Sequence, residues 1–133
     1  MYYIKFIMKN NVLKLIKYLY YFSLIALFIL YLFPGSLIGY FLYGDLSKQP
    51  NLVDNPIGTS INHLFCFMYL TTLASILNLK QNRIFTNVYF IFLISIILEL
   101  MHYIIPNRAF ELYDLFANVA GVLTIFLFRK III

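Results

Sequence analysis

A run of 27 uncharged residues, from position 18 to position 44, constrains this chain more than any other feature. A helix of about 20 mostly apolar residues crosses the hydrocarbon core of a bilayer. Composition agrees, because 11% of the residues are charged against about a quarter in soluble domains, and the mean hydropathy is +0.88. This composition excludes a soluble enzyme and a disordered tail. A disulfide scaffold is also excluded, since the single Cys66 has no intramolecular partner. The sequence predicts a membrane protein.

Four apolar stretches are candidates for membrane-spanning helices. We predict an all-α, polytopic membrane helix bundle that forms a single domain over residues 1–133, with four transmembrane helices at about 15–33, 61–79, 86–105 and 111–128. The lysines before the first helix resemble the start of a signal peptide, but the apolar stretch is long and no clean cleavage site follows, so we expect a retained helix. The long connection between the first and second helices, Gly35–Gly58, is predicted to be a loop, with a re-entrant or interfacial piece at Leu37–Tyr43.

The basic residues are unevenly distributed between the two sides of this four-helix arrangement. Eight of the ten would lie on the side of the two termini, and two on the other side; the first group is Lys5, Lys9, Lys14, Lys17, Lys80, Arg83, Arg129 and Lys130, and the second is Lys48 and Arg108. Because short loops rich in Lys and Arg stay in the cytoplasm, both termini are predicted to be cytoplasmic. The basic residues are not clustered with a stacking surface, so no nucleic-acid partner is expected.

Ionisable and polar residues recur at helical spacing near the predicted outer side. Ser95, Glu99 and His102 form one stripe of the third helix, and Asp114, Asn118 and Gly121 form one stripe of the fourth; His63 lies in the first turn of the second helix at the same depth, and Arg108 lies in the short hairpin that joins the two striped helices. Ionisable groups within spans are costly, so they face the protein interior. We predict a connected polar pocket of His63, Glu99, His102, Arg108, Asp114 and Asn118.

The same cluster has alternative interpretations. It is either a pocket open to the outer side or a hydrogen-bonded plug that locks helix packing, with Gly121 allowing close approach of helices. Arg108 is either an anion clamp or a salt-bridge partner of Asp114 or Glu99. Acid–base hydrolysis would use Glu99 or Asp114 as the base with His63 as its partner, but no catalytic residue is assigned.

A metal site is the further alternative, and it would use His63, Glu99, His102 and Asp114. The chain holds one Glu-x-x-His motif, whereas di-iron bundles need two and further glutamates. No Cys/His pair has zinc spacing. The sequence therefore predicts no metal and no cofactor.

Several of these motifs also occur together in one family. Glu99-Leu-Met-His102, Pro106-Asn-Arg108 and Asp114-Leu-Phe-Ala-Asn118-Val-Ala-Gly121 resemble the signature of the VanZ-like membrane proteins, and His63-Leu-Phe is similar to the His-Phe pair that opens an earlier helix in that family. Two positions differ from the family pattern, since Thr59-Ser60 replaces Asp-Lys and His102 replaces Gln. The resemblance covers about half of the chain.

The resemblance implies a cell-envelope protein of four or five membrane helices, from a family whose named member is associated with resistance to the glycopeptide teicoplanin. It implies no known reaction. We therefore expect a multi-pass protein of the bacterial cytoplasmic membrane that contacts membrane lipid and binds the head group of an anionic lipid or a lipid-linked cell-wall precursor. A small membrane enzyme acting on such a head group, and a structural or partner-binding subunit, are the alternatives.

Overall fold

The protein forms a bundle of five α-helices in a computed structural model, which describes residues 2–50, 58, 60–78 and 84–132. The helices are α1 (Tyr2–Leu32), α2 (Leu37–Tyr43), α3 (Ser60–Asn78), α4 (Val88–Met101) and α5 (Leu112–Ile132), and a 3₁₀ turn at Ile84–Thr86 precedes α4. No strand occurs among the described residues. The predicted all-α class is confirmed for this part of the chain.

Within the part of the chain that the structure describes, three segments are long and apolar enough to cross a membrane: Asn10–Leu32, Ser60–Asn78 and Leu112–Arg129. The helices α1 and α5 extend beyond the predicted bounds, because α1 begins at Tyr2 and α5 continues to Ile132. A membrane protein is therefore supported. Lys80 and Arg83, which the orientation argument uses, lie outside the described residues.

The predicted third span is shorter than expected. The helix α4 has 14 residues, which correspond to about 21 Å. After Met101 the chain continues as tight turns, in which the amides of Tyr103 and Ile104 bond to carbonyls three residues earlier at 3.2 and 2.9 Å. The tightening precedes Pro106, whose ring disfavours α conformation in the residue before it.

The helix α2 occupies the segment that was expected to hold an interfacial piece. Ser36 caps its N-terminus by accepting a hydrogen bond from the amide of Gly39, and Gly44 ends it in a left-handed conformation with φ of 69°. The chain then returns along the helix, since the amide of Ser36 donates to the carbonyl of Leu46 at 2.7 Å. A Cβ at Gly39 would overlap the carbonyl oxygen of Lys48, so glycine is required there.

The core runs along the bundle axis. Buried apolar residues on α1 recur every three or four positions, and they pack against apolar faces of α3 and α4; the core comprises Tyr20, Leu24, Leu27, Tyr31, Phe67, Leu70, Leu73, Ala74, Leu77, Val88, Ile91, Ile94, Leu98 and Val122. The outer faces carry large exposed apolar side chains, such as Phe22 and Phe116. Such a surface suits lipid better than water.

The helices α3 and α5 cross at Gly121. A Cβ on this residue would lie 2.5 Å from the carbonyl oxygen of Leu64 and 3.1 Å from Cβ of Phe67. The missing side chain therefore allows the two backbones to approach closely, as small residues do in membrane helix pairs. This approach brings the first turns of α3 and α5 together.

Candidate functional site

Four helix ends meet at one end of the bundle. The ends of α1 and α4 and the beginnings of α3 and α5 each contribute polar side chains there: Tyr31, Ser60, His63, Glu99, His102, Asp114 and Asn118. Since α3 and α5 begin at this end, α4 must return the chain between them. It follows that α1 begins and α5 ends on the side of the bundle away from these polar side chains.

The imidazole of His63 lies at the centre of this polar site. Its Nδ1 lies 2.8 Å from the hydroxyl of Tyr31 and 3.2 Å from Oδ1 of Asn118. Its Nε2 faces Oδ2 of Asp114 at 3.4 Å, and its Nδ1 lies 3.7 Å from Oε2 of Glu99. One side chain of α3 thus contacts polar groups from all three other helices.

Each carboxylate is held by further hydrogen bonds. The hydroxyl of Ser60 donates to Oδ1 of Asp114 at 2.5 Å. Nδ1 of His102 lies 3.1 Å from Oε1 of Glu99, and the amide of Glu111 donates to the same oxygen at 3.4 Å. These contacts orient the carboxylates within an otherwise apolar bundle, where Glu99 is 0% and Asp114 4% exposed.

Asn118 connects the helices at the base of the site. Its side-chain amide donates to the carbonyl of Ser95 at 3.2 Å and to Oε2 of Glu99 at 3.4 Å, and its Oδ1 accepts from the hydroxyl of Tyr31 at 2.9 Å. A buried amide with this many partners fixes the relative position of α1, α4 and α5.

His102 is buried behind Glu99. Its ring stacks on that of Tyr31, with centroids 5.4 Å apart and an interplanar angle of 17°. Its Nε2 is buried without a hydrogen-bond partner. His102 therefore joins the same side-chain cluster as His63 through its contacts with Glu99 and Tyr31.

The hydrogen bonds of Arg108 go to backbone carbonyls of the α1 end and not to the carboxylates of the site. Its Nη2 donates to the carbonyl of Leu30 at 2.6 Å and its Nε to the carbonyl of Phe33 at 3.3 Å, so the guanidinium caps the end of α1. Within residues 2–50, 58, 60–78 and 84–132 no ion pair joins it to Asp114 or Glu99. The preceding Asn107 has a positive φ of 59°, which turns the hairpin back toward α1.

The electrostatic field of the carboxylates still reaches the rim of the site. Burial lowers the pKa of the Arg108 guanidinium, while the negative charges of Glu99 and Asp114 act in the opposite direction. Burial, followed by the negative charges of Asp114 and Glu99, raises the pKa of Glu111. The interior of the site is therefore acidic, and Arg108 is the cation at its edge.

Three of the side chains also satisfy the distance requirements of a cation site. A ring nitrogen of His63 and one carboxylate oxygen each from Glu99 and Asp114 lie within 4.8 Å of one another. These three residues belong to three different helices. They are three of the four residues that a metal site would use on the sequence alone; the fourth, His102, lies behind Glu99.

Sequence reasoning missed Tyr31 and Ser60 as members of the site. Tyr31 lies within the long uncharged run of the sequence, yet it is 8% exposed and its hydroxyl contacts both His63 and Asn118. The signal was its spacing from Tyr20, Leu24 and Leu27, which places it on the buried face of α1. Ser60 carried no such signal, because its role depends on where α5 begins.

The described helices and their shared polar site establish an all-helical protein with three segments that suit a membrane. The site combines buried carboxylates, imidazoles and an amide at one end of the bundle. Comparison of the chain with protein-family models, with curated proteins and with solved structures finds no match in any of the three.

Proposed function

We propose that the chain is a VanZ-like protein of the bacterial cytoplasmic membrane that binds the head group of an anionic lipid or a lipid-linked cell-wall precursor at its outer face. One observation carries the proposal: His63, Glu99, Asp114 and Asn118, from three helices, converge in the interior of an apolar bundle. Ionisable groups are costly at membrane depth and mark ligand sites more often than packing contacts.

Four membrane crossings are the topology that we assign. Because α3 and α5 begin at the same end, the short α4 has to cross between them, and its turns at both ends add to its 14 helical residues. Neighbouring helices bury Ile91 and Leu98, while the opposite face of α4 exposes apolar side chains such as Leu93, which suits contact with lipid. With the basic residues assigned by the positive-inside rule, the end that holds the site faces outward.

A labelling experiment tests this orientation. Single cysteines at Lys48 and at Lys80, in a Cys66→Ala background, are exposed to a membrane-impermeant thiol reagent in intact cells. We expect Lys48→Cys to react and Lys80→Cys to react only after the membrane is permeabilised. The reverse pattern would place the polar site on the cytoplasmic side.

Arg108 is the group to which we assign the negatively charged part of the head group. Its bonds to the carbonyls of Leu30 and Phe33 use two of the five N–H groups of a guanidinium. The remaining N–H groups suit a phosphate oxygen, since the planar fork matches phosphate geometry. The carboxylates of Glu99 and Asp114 would then accept hydrogen bonds from hydroxyl, amide or ammonium groups of the same ligand.

Native mass spectrometry of the purified protein tests head-group binding. We expect one lipid species to remain bound to the wild-type chain and to be lost from Arg108→Lys and Asn118→Ala. Lys48→Ala is the matched control, because it removes a cation from the same predicted side without touching the site. If binding is equal in all four proteins, or if it is lost only where the protein unfolds, the cluster has a packing role instead.

A cellular measurement complements the binding data. The family resemblance predicts that cells expressing the protein differ in glycopeptide susceptibility from cells without it. A variant that stays folded yet loses this difference would support a binding role. A difference that follows thermal stability across all variants would favour a structural subunit.

An enzymatic role is the second candidate, and the pairing of His63 with Asp114 favours it. Nε2 of the imidazole faces the carboxylate at 3.4 Å, an arrangement in which a base can accept a proton from water or a hydroxyl group. Incubation of the purified protein with lipid-linked precursors, followed by mass analysis, distinguishes turnover from binding. Turnover that is abolished in Asp114→Asn without loss of lipid binding would establish an enzyme.

A further inference from the structure

We propose that His63, Glu99 and Asp114 bind a single divalent transition-metal cation. The three residues come from α3, α4 and α5, and their nearest ligand atoms lie within 4.8 Å of one another. Metal–ligand bonds of about 2.0–2.2 Å at a tetrahedral centre separate neighbouring ligand atoms by about 3.3–3.6 Å. The distance of 3.4 Å between Nε2 of His63 and Oδ2 of Asp114 already has this value.

The hydrogen bonds around the three residues leave one donor atom of each available to a cation. Nδ1 of His63 has partners in Tyr31 and Asn118, so Nε2 faces Asp114. Ser60 occupies Oδ1 of Asp114 and leaves Oδ2 directed at the imidazole. Outer hydrogen bonds of this kind orient ligands and set the histidine tautomer in metal sites.

Glu99 is oriented in the same way. Its Oε1 contacts Nδ1 of His102 at 3.1 Å and accepts from the amide of Glu111. Its Oε2 lies 3.7 Å from Nδ1 of His63 and accepts a hydrogen bond from the side-chain amide of Asn118 at 3.4 Å, which leaves a second lone pair of this oxygen for a cation. The carboxylate therefore presents one oxygen to the centre of the site while the other is held from behind.

Charge balance is the second argument for a cation. Among the described residues, the ion-pair partners of the two buried carboxylates are His63 and His102, and Arg108 is bonded to carbonyls of α1 instead. Two carboxylates in an apolar interior are expensive unless they are neutralised. A divalent cation with a neutral imidazole brings the net charge of the site to zero.

The donor set indicates the class of metal. One imidazole nitrogen and two carboxylate oxygens suit zinc, manganese or ferrous iron better than calcium or magnesium, which prefer oxygen alone. Three protein ligands also leave a coordination position open at a tetrahedral centre, and the side chain of His63 remains 13% exposed. If the head-group proposal holds, the open position can take a phosphate oxygen and reconcile an acidic pocket with an anionic ligand.

Metal content of the full-length protein tests this proposal without any lipid. The chain is purified in detergent with a tag free of histidine, stripped with a chelator, equilibrated with zinc or manganese chloride and desalted before elemental analysis. We expect one ion per wild-type chain and its loss in His63→Gln, Glu99→Gln and Asp114→Asn. Asp45→Asn and Cys66→Ala are controls that keep the ion, because both residues lie outside the site.

A spectroscopic measurement keeps the test decisive if a variant fails to fold. Cobalt(II) bound to the wild-type chain should give visible d–d absorption bands. His63→Cys in the Cys66→Ala background should add a thiolate-to-cobalt charge-transfer band in the near ultraviolet, which a site elsewhere would lack. The proposal is overturned if the wild-type protein retains no ion, or if His63→Cys binds cobalt without that band.

The experiments can reject the metal proposal and the head-group proposal independently of each other. Loss of lipid binding from a protein that still holds one ion would leave the metal site intact and reject the head-group assignment. Lipid binding by a chain that never retains an ion would reject the metal site and leave the head-group assignment intact.

Discussion

Arg108 donates a hydrogen bond of 2.6 Å to the carbonyl oxygen of Leu30, which joins the α4–α5 hairpin to the end of α1. A second bond, from Nε to the carbonyl of Phe33, completes a two-point contact. The last carbonyls of a helix lack partners within the helix itself, so a guanidinium satisfies them and complements the negative end of the helix dipole.

The two-point contact predicts that charge alone does not replace Arg108. In Arg108→Lys a single ammonium group cannot reproduce the fork, and we expect a loss of about 1–3 kcal/mol in the free energy of unfolding, as for other hydrogen bonds from charged groups. Thermal unfolding in detergent measures it. Lys48→Ala should have no measurable effect, and an unchanged unfolding temperature in Arg108→Lys would show that these bonds do not anchor the hairpin.

Tyr31→Phe tests the connection between α1 and the site. The change removes one hydroxyl that contacts both Nδ1 of His63 and Oδ1 of Asn118. Because Nδ1 and Oδ1 keep their mutual contact at 3.2 Å but each loses its bond to the hydroxyl, we expect destabilisation by about 0.5–1.5 kcal/mol. Tyr18→Phe on the exposed face of the same helix is the control. Equal unfolding temperatures of the two variants would contradict a structural role for the hydroxyl.

Gly121→Ala tests the helix crossing that aligns the site. The added Cβ would lie 2.5 Å from the backbone oxygen of Leu64, so α3 and α5 have to separate. Overpacking of this kind typically costs about 1–3 kcal/mol, and metal or lipid binding should weaken as His63 moves away from Asp114. Ala120→Val adds volume on the exposed side of α5 and should be tolerated. Should both variants behave alike, the close approach is not needed.

The loop after α2 provides a prediction about pH. The hydroxyl and the amide of Ser47 both donate to Oδ1 of Asp45 and hold the pKa of this carboxyl below its ordinary value, with Lys48 adding a smaller effect. A carboxyl with a lowered pKa stabilises the folded loop above its unfolded pKa, and the contribution is lost as the pH falls through the folded pKa, below about pH 4.

An NMR titration of the Asp45 carboxyl carbon in detergent micelles measures this effect. Ser47→Ala removes the hydroxyl and should raise the pKa of Asp45 toward its ordinary value. Ser23→Ala is the control, since Ser23 contacts Tyr69 in another part of the bundle. A titration unaffected by Ser47→Ala would mean that the hydrogen bond does not form in solution.

The pattern of apolar and polar residues along each segment was sufficient to predict the helical class and the polar positions on each helix. The stripes on α4 and α5 follow from helical periodicity, and α2 occupies the segment singled out within the long connection. The predicted span at 86–105 is longer than α4, which ends at Met101. Residues 102–105 continue the apolar stretch, but their backbone hydrogen bonds already form turns. Hydropathy is a property of side chains, and it does not report which backbone atoms pair.

The sequence by itself determined that this is a helical protein suited to a membrane and that the polar residues of the site, with both histidines, recur at helical spacing toward one end of its helices, because hydropathy and periodicity are properties of contiguous residues. Only the tertiary structure decided that Nε2 of His63 faces Asp114, that Tyr31 belongs to the site and that Arg108 binds the end of α1. These contacts depend on helix rotation and crossing distance, which arise from packing such as that at Gly121. No spacing along one chain segment encodes the distance between side chains on different helices.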